Sequence, residues 1–351
     1  MSSATPRLRL SSPTDILTAV PFLIGFHPEH SLVVIGFIGQ VVRVSTRWDL
    51  PIEQGSLDGL LPLLKREQVT MAVLIGYGPG SLVTTGVDEA TRLLRSAGIE
   101  ITESLRASDN RYWSYLCQRI ACCPPEGTPY DPKASPIAAE AVVNGLVALP
   151  NRRSLERSVA PCHGVARLSM NRATTRAITS IRTALAKGRP ADLVADGIAR
   201  VRTAIDVYAR GDRLTDDEIA RLGLDLSIIR VRDEAWTLID DRDAHLTLWR
   251  DVTQRLHPRH AAPAASLLAA TAWRNGDCAL ATLALDRALT ADPRYTMAVL
   301  LSRAIRNLLP PNVLRDRMPT PEDLDREMGT PTTKWLTPLL TLLEDPPALA
   351  S

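Results

Sequence analysis

The feature that most constrains this chain is a change of pattern near residue 134. Before it, short apolar runs alternate with amphipathic stretches of helical length. After it, strand-like runs stop and helical periods rich in Ala, Leu and Arg continue almost to the end. Such a sequence folds as an α/β domain followed by an all-α domain. We expect a mixed sheet with helices packed on it, an α/β sandwich, over residues 1–150, and a helical-hairpin domain over 151–345. With 351 residues, two separate cores are feasible.

Within the first half, Ser12-Pro13 has the form of an N-cap followed by Pro at the first helical position, opening a helix through Val20. SLVVIGF (31–37) and VVRVSTRWDL (41–50) form a strand pair about a turn at Ile38, Gly39 and Gln40. A helix near 56–67, the strand MAVLIGY (71–77), a helix near 84–97 and the strand IEITESL (99–105) follow, with RYWSYL (111–116) as a hairpin return. Residues 310–333, rich in Pro and charge, are expected to be an extended connection before a last helix.

Charge excludes one function class. Lys and Arg number 41 against 39 Asp and Glu, a net +2, which argues against a nucleic-acid footprint. Lys65, Lys133, Lys187 and Lys334 are the only lysines, so Arg carries nearly all the positive charge. No apolar run reaches the length of a membrane span, and MSSATPRLRLSSPTD lacks the apolar core of a leader. A cytoplasmic protein without structural disulfides is the expectation.

In the helical half, SLLAATAWRNGDCALATLALDRALTADP (266–293) resembles a tetratricopeptide repeat, with the hairpin spanning 262–293. Gly276 and Asp277 make the turn, Ala281, Leu285 and Ala288 the packing face, and Pro293 the close, with Pro258 marking a degenerate earlier unit. Two readings stand side by side. The hairpin lines a protein-binding groove, or it completes a domain core.

Three loops carry candidate chemistry. In GFHPEHS (25–31), His27 and Glu29 are binding-surface candidates, and Ser31 is expected to bond backbone at the strand start. In RWDLP (47–51), Arg47 and Asp49 offer a polar patch beside Trp48. YWSYLCQRIACCPPEGTPYD (112–131) adds Trp113 and Glu126, together with Cys117, Cys122 and Cys123, three of the five cysteines. These thiols, with Cys162-His163, could form a zinc tetrahedron, or a redox switch. Without a C-x-x-C pair, the expectation is instead that the small cysteines pack under the tight turns of PPEGTP. No cofactor is expected, zinc being the alternative. GYGPGS (76–81) sits between strand and helix but lacks the full spacing of a phosphate loop.

LRLSSPTDILTAVPFLIGFHPEHSLVVIGF (8–37), RWDLP (47–51), YWSYLCQRIACCPPEGTPYD (112–131) and AAEAVVNGLVALPNR (138–152) together resemble domain of unknown function 4192, a largely actinobacterial family. The resemblance covers most of the first half, and the helical half resembles its usual continuation. It implies no reaction. No Ser-His-Asp order, G-x-S-x-G elbow or H-E-x-x-H motif occurs. The sequence therefore favours a non-catalytic binding or scaffolding protein with a protein partner on its helical half. The alternative is a hydrolase or transferase whose site lies where loops 25–31, 47–51 and 117–130 converge.

Overall fold

In the computed structural model, the apolar run Ser31–Ile38 forms β1 and turns back at Gly39-Gln40 into β2 (Val41–Asp49). On its other side β1 pairs antiparallel with β3 (Met71–Tyr77), which pairs parallel with β4 (Glu100–Ser108). β5 (Arg111–Ser114) and β6 (Thr128–Pro129) complete a mixed sheet of order β2-β1-β3-β4-β5-β6. The structure describes residues 10–144, 146–315 and 318–344. Residues 1–9, read above as lacking a leader core, and position 345, the expected limit of the helical half, lie outside them. So does part of the 310–333 connection.

Helices cover both faces of the sheet. α1 (Pro13–Ile24) is capped as its sequence predicts, Ser12 Oγ accepting from Asp15 N at 3.2 Å. Its Leu17 and Val20 pack on Val33, Ile35, Val73, Ile75 and Leu105. Successive strand residues point to opposite faces, so the intervening positions meet α2 (Leu60–Arg66) and α3 (Gly80–Ser96). Gly76 permits that contact: a Cβ there would sit 2.0 Å from Val83 Cγ1. α4 (Pro136–Val143) follows the sheet, and α5 (Arg152–Arg157) spans the point, between Leu155 and Glu156, where the chain divides into two units.

The second unit is largely helical. It comprises α6 (Gly164–Lys187), α7 (Pro190–Ala209), α8 (Asp216–Asp225), α9 (Ile229–Thr237), α10 (Asp243–Arg255), α11 (Ala261–Arg274), α12 (Cys278–Ala291) and α13 (Thr296–Arg306). Three short helices follow, α14 (Asn312–Arg315), α15 (Pro321–Met328) and α16 (Thr337–Glu344). The expected extended connection is thus partly helical. Thr320 caps α15 reciprocally with Asp323, and Pro321 takes its first position, enough to start a helix in a Pro-rich stretch.

The hairpin α11–α12 turns at Gly276-Asp277, where Asp277 accepts from Leu280 N at 2.9 Å. Every residue of α11 from Ala261 to Trp273 is buried. α7, α9 and α15 join in an ion set around one buried carboxylate. Glu234, fully buried, accepts from Arg230 Nη1 at 2.8 Å and from Arg202 Nε at 3.0 Å, while Arg230 also reaches Asp325 at 2.7 Å. Among the described residues, no helix is long and apolar enough to cross a membrane.

Candidate metal centre

The first two candidate loops meet at one end of the sheet. β1 and β2 pair Ser31 with Asp49, so the loop before β1 and the loop after β2 are neighbours, and Leu50 N donates to His30 O at 2.8 Å. Ser31 is fully buried and donates from Oγ to Glu29 O at 2.6 Å, the backbone bond expected of it. Its Oγ in turn accepts from Arg47 Nε at 2.8 Å. Arg47 is turned inward over the Phe26 ring, 5.4 Å from its centroid, and pairs with Asp49. Partial burial works to raise the Asp49 pKa, but Arg47, by hydrogen bond and charge, and then Arg152 hold it below the ordinary carboxylate value.

His27 stands apart from that lock. It borders an open hollow of about 330 Å3 with Phe22, Val142, Leu146, Val147 and Ala148, and burial there lowers its pKa. Among the described residues, no carboxylate lines the hollow, so the imidazole meets no proton-transfer partner there. The Glu29 side chain is exposed.

The third loop does not join them. β5 and β1 are separated by β3 and β4, three strand spacings or roughly 14 Å. The convergence of loops 25–31, 47–51 and 117–130 is therefore corrected, because the cysteine loop springs from the opposite edge of the sheet. What meets the 25–31 loop instead is the 76–81 connection, whose Gly78 would bring a Cβ within 3.3 Å of His30 Cδ2.

The cysteine loop builds a site of its own. At the end of β5, Ser114 Oγ donates to Glu103 Oε1 at 3.0 Å and accepts from Leu116 N and Cys117 N, each at 3.2 Å, which turns the chain off the sheet. A turn at Arg119, whose carbonyl accepts from Cys122 N at 3.1 Å and Cys123 N at 2.8 Å, brings the adjacent cysteines back towards Cys117. The sulfurs of Cys117, Cys122 and Cys123 all lie within 4.8 Å of one another, Cys117 and Cys122 at 3.2 Å.

They are not packed under the turns as expected. Cys122 is exposed and the other two are half-exposed, because Trp113 fills the space beneath the loop in their place. Trp113 lies under the Arg106 guanidinium, 3.5 Å from its centroid, and donates from Nε1 to Pro125 O at 2.8 Å. Glu126 contributes backbone, not its carboxylate: its carbonyl and that of Gly127 accept from Arg111 Nη1 at 3.4 and 2.7 Å.

Gly127 closes the loop with φ of +83°, and a Cβ there would lie 2.5 Å from the Trp113 ring. Gly127→Ala is therefore expected to destabilise the α/β unit by about 1–3 kcal/mol, read from urea unfolding.

Three sulfurs within this range suit one ion. Zinc holds thiolates at about 2.3 Å in a tetrahedron, which sets sulfur–sulfur separations of roughly 3.8 Å, inside the observed span. The Cys117 pKa is lowered, first by a hydrogen bond from Cys123, then by Cys122 and the Arg119 backbone. Cys123, retaining the proton it shares with Cys117, is pushed up to about 12. Cys162 and His163, suggested as completing ligands, belong to the helical unit, where the Cys162 thiol lies 3.8 Å from Arg255 O. Sequence reasoning names these three thiols as an alternative zinc set but prefers packing under the turns, because their spacing, C-x-x-x-x-C-C, matches no ribbon. The signal available was Trp113 with Gly127, which fix the loop over the sheet.

The model of the domain of unknown function DUF4192 matches residues 13–312, from α1 into α14, and so spans both the thiol loop and most of the helical unit. The chain belongs to the DUF4192 family. Comparison of this DUF4192 protein with curated proteins and with solved structures returns no match.

Proposed function

We propose that this DUF4192 protein is a non-catalytic binding protein whose α/β unit holds a thiophilic metal ion of the zinc class on Cys117, Cys122 and Cys123. The observation that carries the reading is the mutual approach of the three sulfurs at the surface. Thiolates select Zn2+ and Cu+ over the hard cations, and three ligands leave a fourth position open to water or a partner's side chain. The non-catalytic part is supported by the dispersal of the acid–base candidates. Asp49 is tied to arginines, Ser31 is buried at a strand start, and His27 faces apolar walls.

The test is a cobalt(II) titration of the full chain, stripped with chelator and kept reduced with a phosphine. One equivalent is expected to produce a sulfur-to-metal charge-transfer band in the near ultraviolet. Cys117→Ser, Cys122→Ser and Cys123→Ser are each expected to weaken binding at least about a hundredfold, beyond what loss of an outer-shell partner costs. Cys278→Ser is expected to leave it unchanged. Absence of the band, or its survival in Cys122→Ser, would sink the reading. Closure of Cys117 and Cys122 to a disulfide by an added external disulfide, with no cobalt band in the reduced protein, would replace it with a redox one.

A further inference from the structure

The helical unit gathers positive charge at one place, where, among the described residues, no carboxylate acts on His257 or Arg287. Arg167, in the first turn of α6, donates from Nε to Cys162 O at 3.2 Å and from Nη1 to Arg255 O and Leu256 O at 3.2 and 3.0 Å. Its Nη2 is buried with no hydrogen-bond partner. Arg287, from α12, has buried Nε and Nη2 groups that likewise reach no acceptor among the described residues. His257 follows Leu256 directly, and its Nδ1 accepts from Arg259 N at 3.4 Å, which leaves Nε2 as the ring's N–H donor. The helix end adds to this. α6 starts at Gly164 without a side-chain cap and without an acidic residue in its first turn.

Each element is unfavourable alone. Three buried guanidinium N–H groups without acceptors forfeit their hydration. Arginine in the first turn opposes the helix dipole. Burial lowers the pKa of Arg287, and the Arg167 charge lowers it further. Burial, then Arg167, Arg259 and Arg287, does the same to His257. Among the described residues, no carboxylate acts on either group. Arg259 differs from Arg167 and Arg287 in being engaged, Nη2 with Leu342 O at 2.9 Å and Nε with His260 at 3.3 Å. A tetrahedral oxyanion would satisfy several of these donors at once, since guanidinium N–H pairs match two of its oxygens and an uncapped helix start offers backbone N–H groups to a third.

We propose that Arg167, Arg287 and His257, at the start of α6, form a binding site for a phosphate-class oxyanion. Arg287 is the primary ligand through its unpartnered Nε and Nη2, while Arg167 offers Nη2 from a guanidinium already fixed by backbone carbonyls. The site belongs to the helical unit and is independent of the thiol loop.

The experiment is calorimetric titration and thermal melting of the full chain with inorganic phosphate, with a phosphomonoester such as adenosine monophosphate, and with acetate at equal ionic strength. Phosphate is expected to bind and to raise Tm, acetate to do neither. A phosphomonoester that binds more tightly than phosphate would identify the source as an esterified ligand, and equal or weaker binding would identify free phosphate. Arg287→Met keeps the side chain's length while removing the unpartnered charge. It is expected to fold, to melt at or above the parent Tm without phosphate, and to lose phosphate affinity by roughly ten- to a hundredfold. His257→Gln is expected to retain the fold and weaken phosphate binding by a smaller factor. The proposal is overturned if the parent chain shows no phosphate-dependent change, if acetate binds as well as phosphate, or if Arg287→Met binds phosphate undiminished.

Discussion

Replacing Glu234 with alanine is expected to destabilise the helical unit by about 3–5 kcal/mol. Glu234 is fully buried on α9, and both its oxygens are used, one by Arg230 Nη1 and the other by Arg202. Arg230 itself is only 4% exposed. Removing the carboxylate strands a guanidinium inside the fold, with exposed Asp325 as its remaining counter-charge. The loss exceeds that from truncating a comparable surface acid, because a buried charge left with only an exposed partner forfeits hydration that the pair does not replace. Glu234→Gln keeps one acceptor oxygen and the side chain's volume but sets an NH2 donor against the second arginine, so an intermediate loss is expected. Urea unfolding of the three proteins checks the order. Equal stability of Glu234→Ala and the parent would mean that the ion set contributes nothing net.

That set also shows where sequence reading stops. The architecture was legible because it depends on period. MAVLIGY gave β3 with its observed bounds, and Ser12-Pro13 gave the start of α1, since an uninterrupted apolar run and a capped first turn are local signals. β6 was not, being two residues long with Pro129 as one of them, and held by pairing with Arg111 and Tyr112. The inward turn of Arg47 was equally hidden. An arginine near a strand end reads as surface, and only the buried Ser31 hydroxyl and Phe26 ring across the strand pair draw it in.

The thiol loop is the instructive case. Its cysteines were visible, and their spacing matches no zinc ribbon. But spacing measures separation along the chain, whereas the sulfurs meet because Ser114 and the Arg119 carbonyl fold the segment back on itself. Arg287 carried no sequence signal at all. It occupies an ordinary helical position, and what distinguishes it is the acceptors it lacks among the described residues.

Metal uptake at the thiol loop is expected to strengthen steeply with pH. The ligand form of cysteine is the thiolate, so every sulfur still protonated before binding must release its proton as the ion enters. Cys117 is the thiol drawn below the ordinary value, by the hydrogen bonds it receives from Cys123 and Cys122, so it is the first of the pair to ionise. Cys123, at about 12, holds its proton throughout the neutral range and gives it up only to the metal. The sign follows: with at least one proton released, affinity rises about tenfold per pH unit and roughly a hundredfold between about pH 6 and pH 8. Each further thiol that enters protonated steepens the slope by the same factor. Competition against a chelating indicator across that range measures the slope. Calorimetry in buffers of different ionisation enthalpy counts the protons directly. A pH-independent affinity would show that the ion is held by groups already ionised at neutral pH, carboxylates rather than these sulfurs.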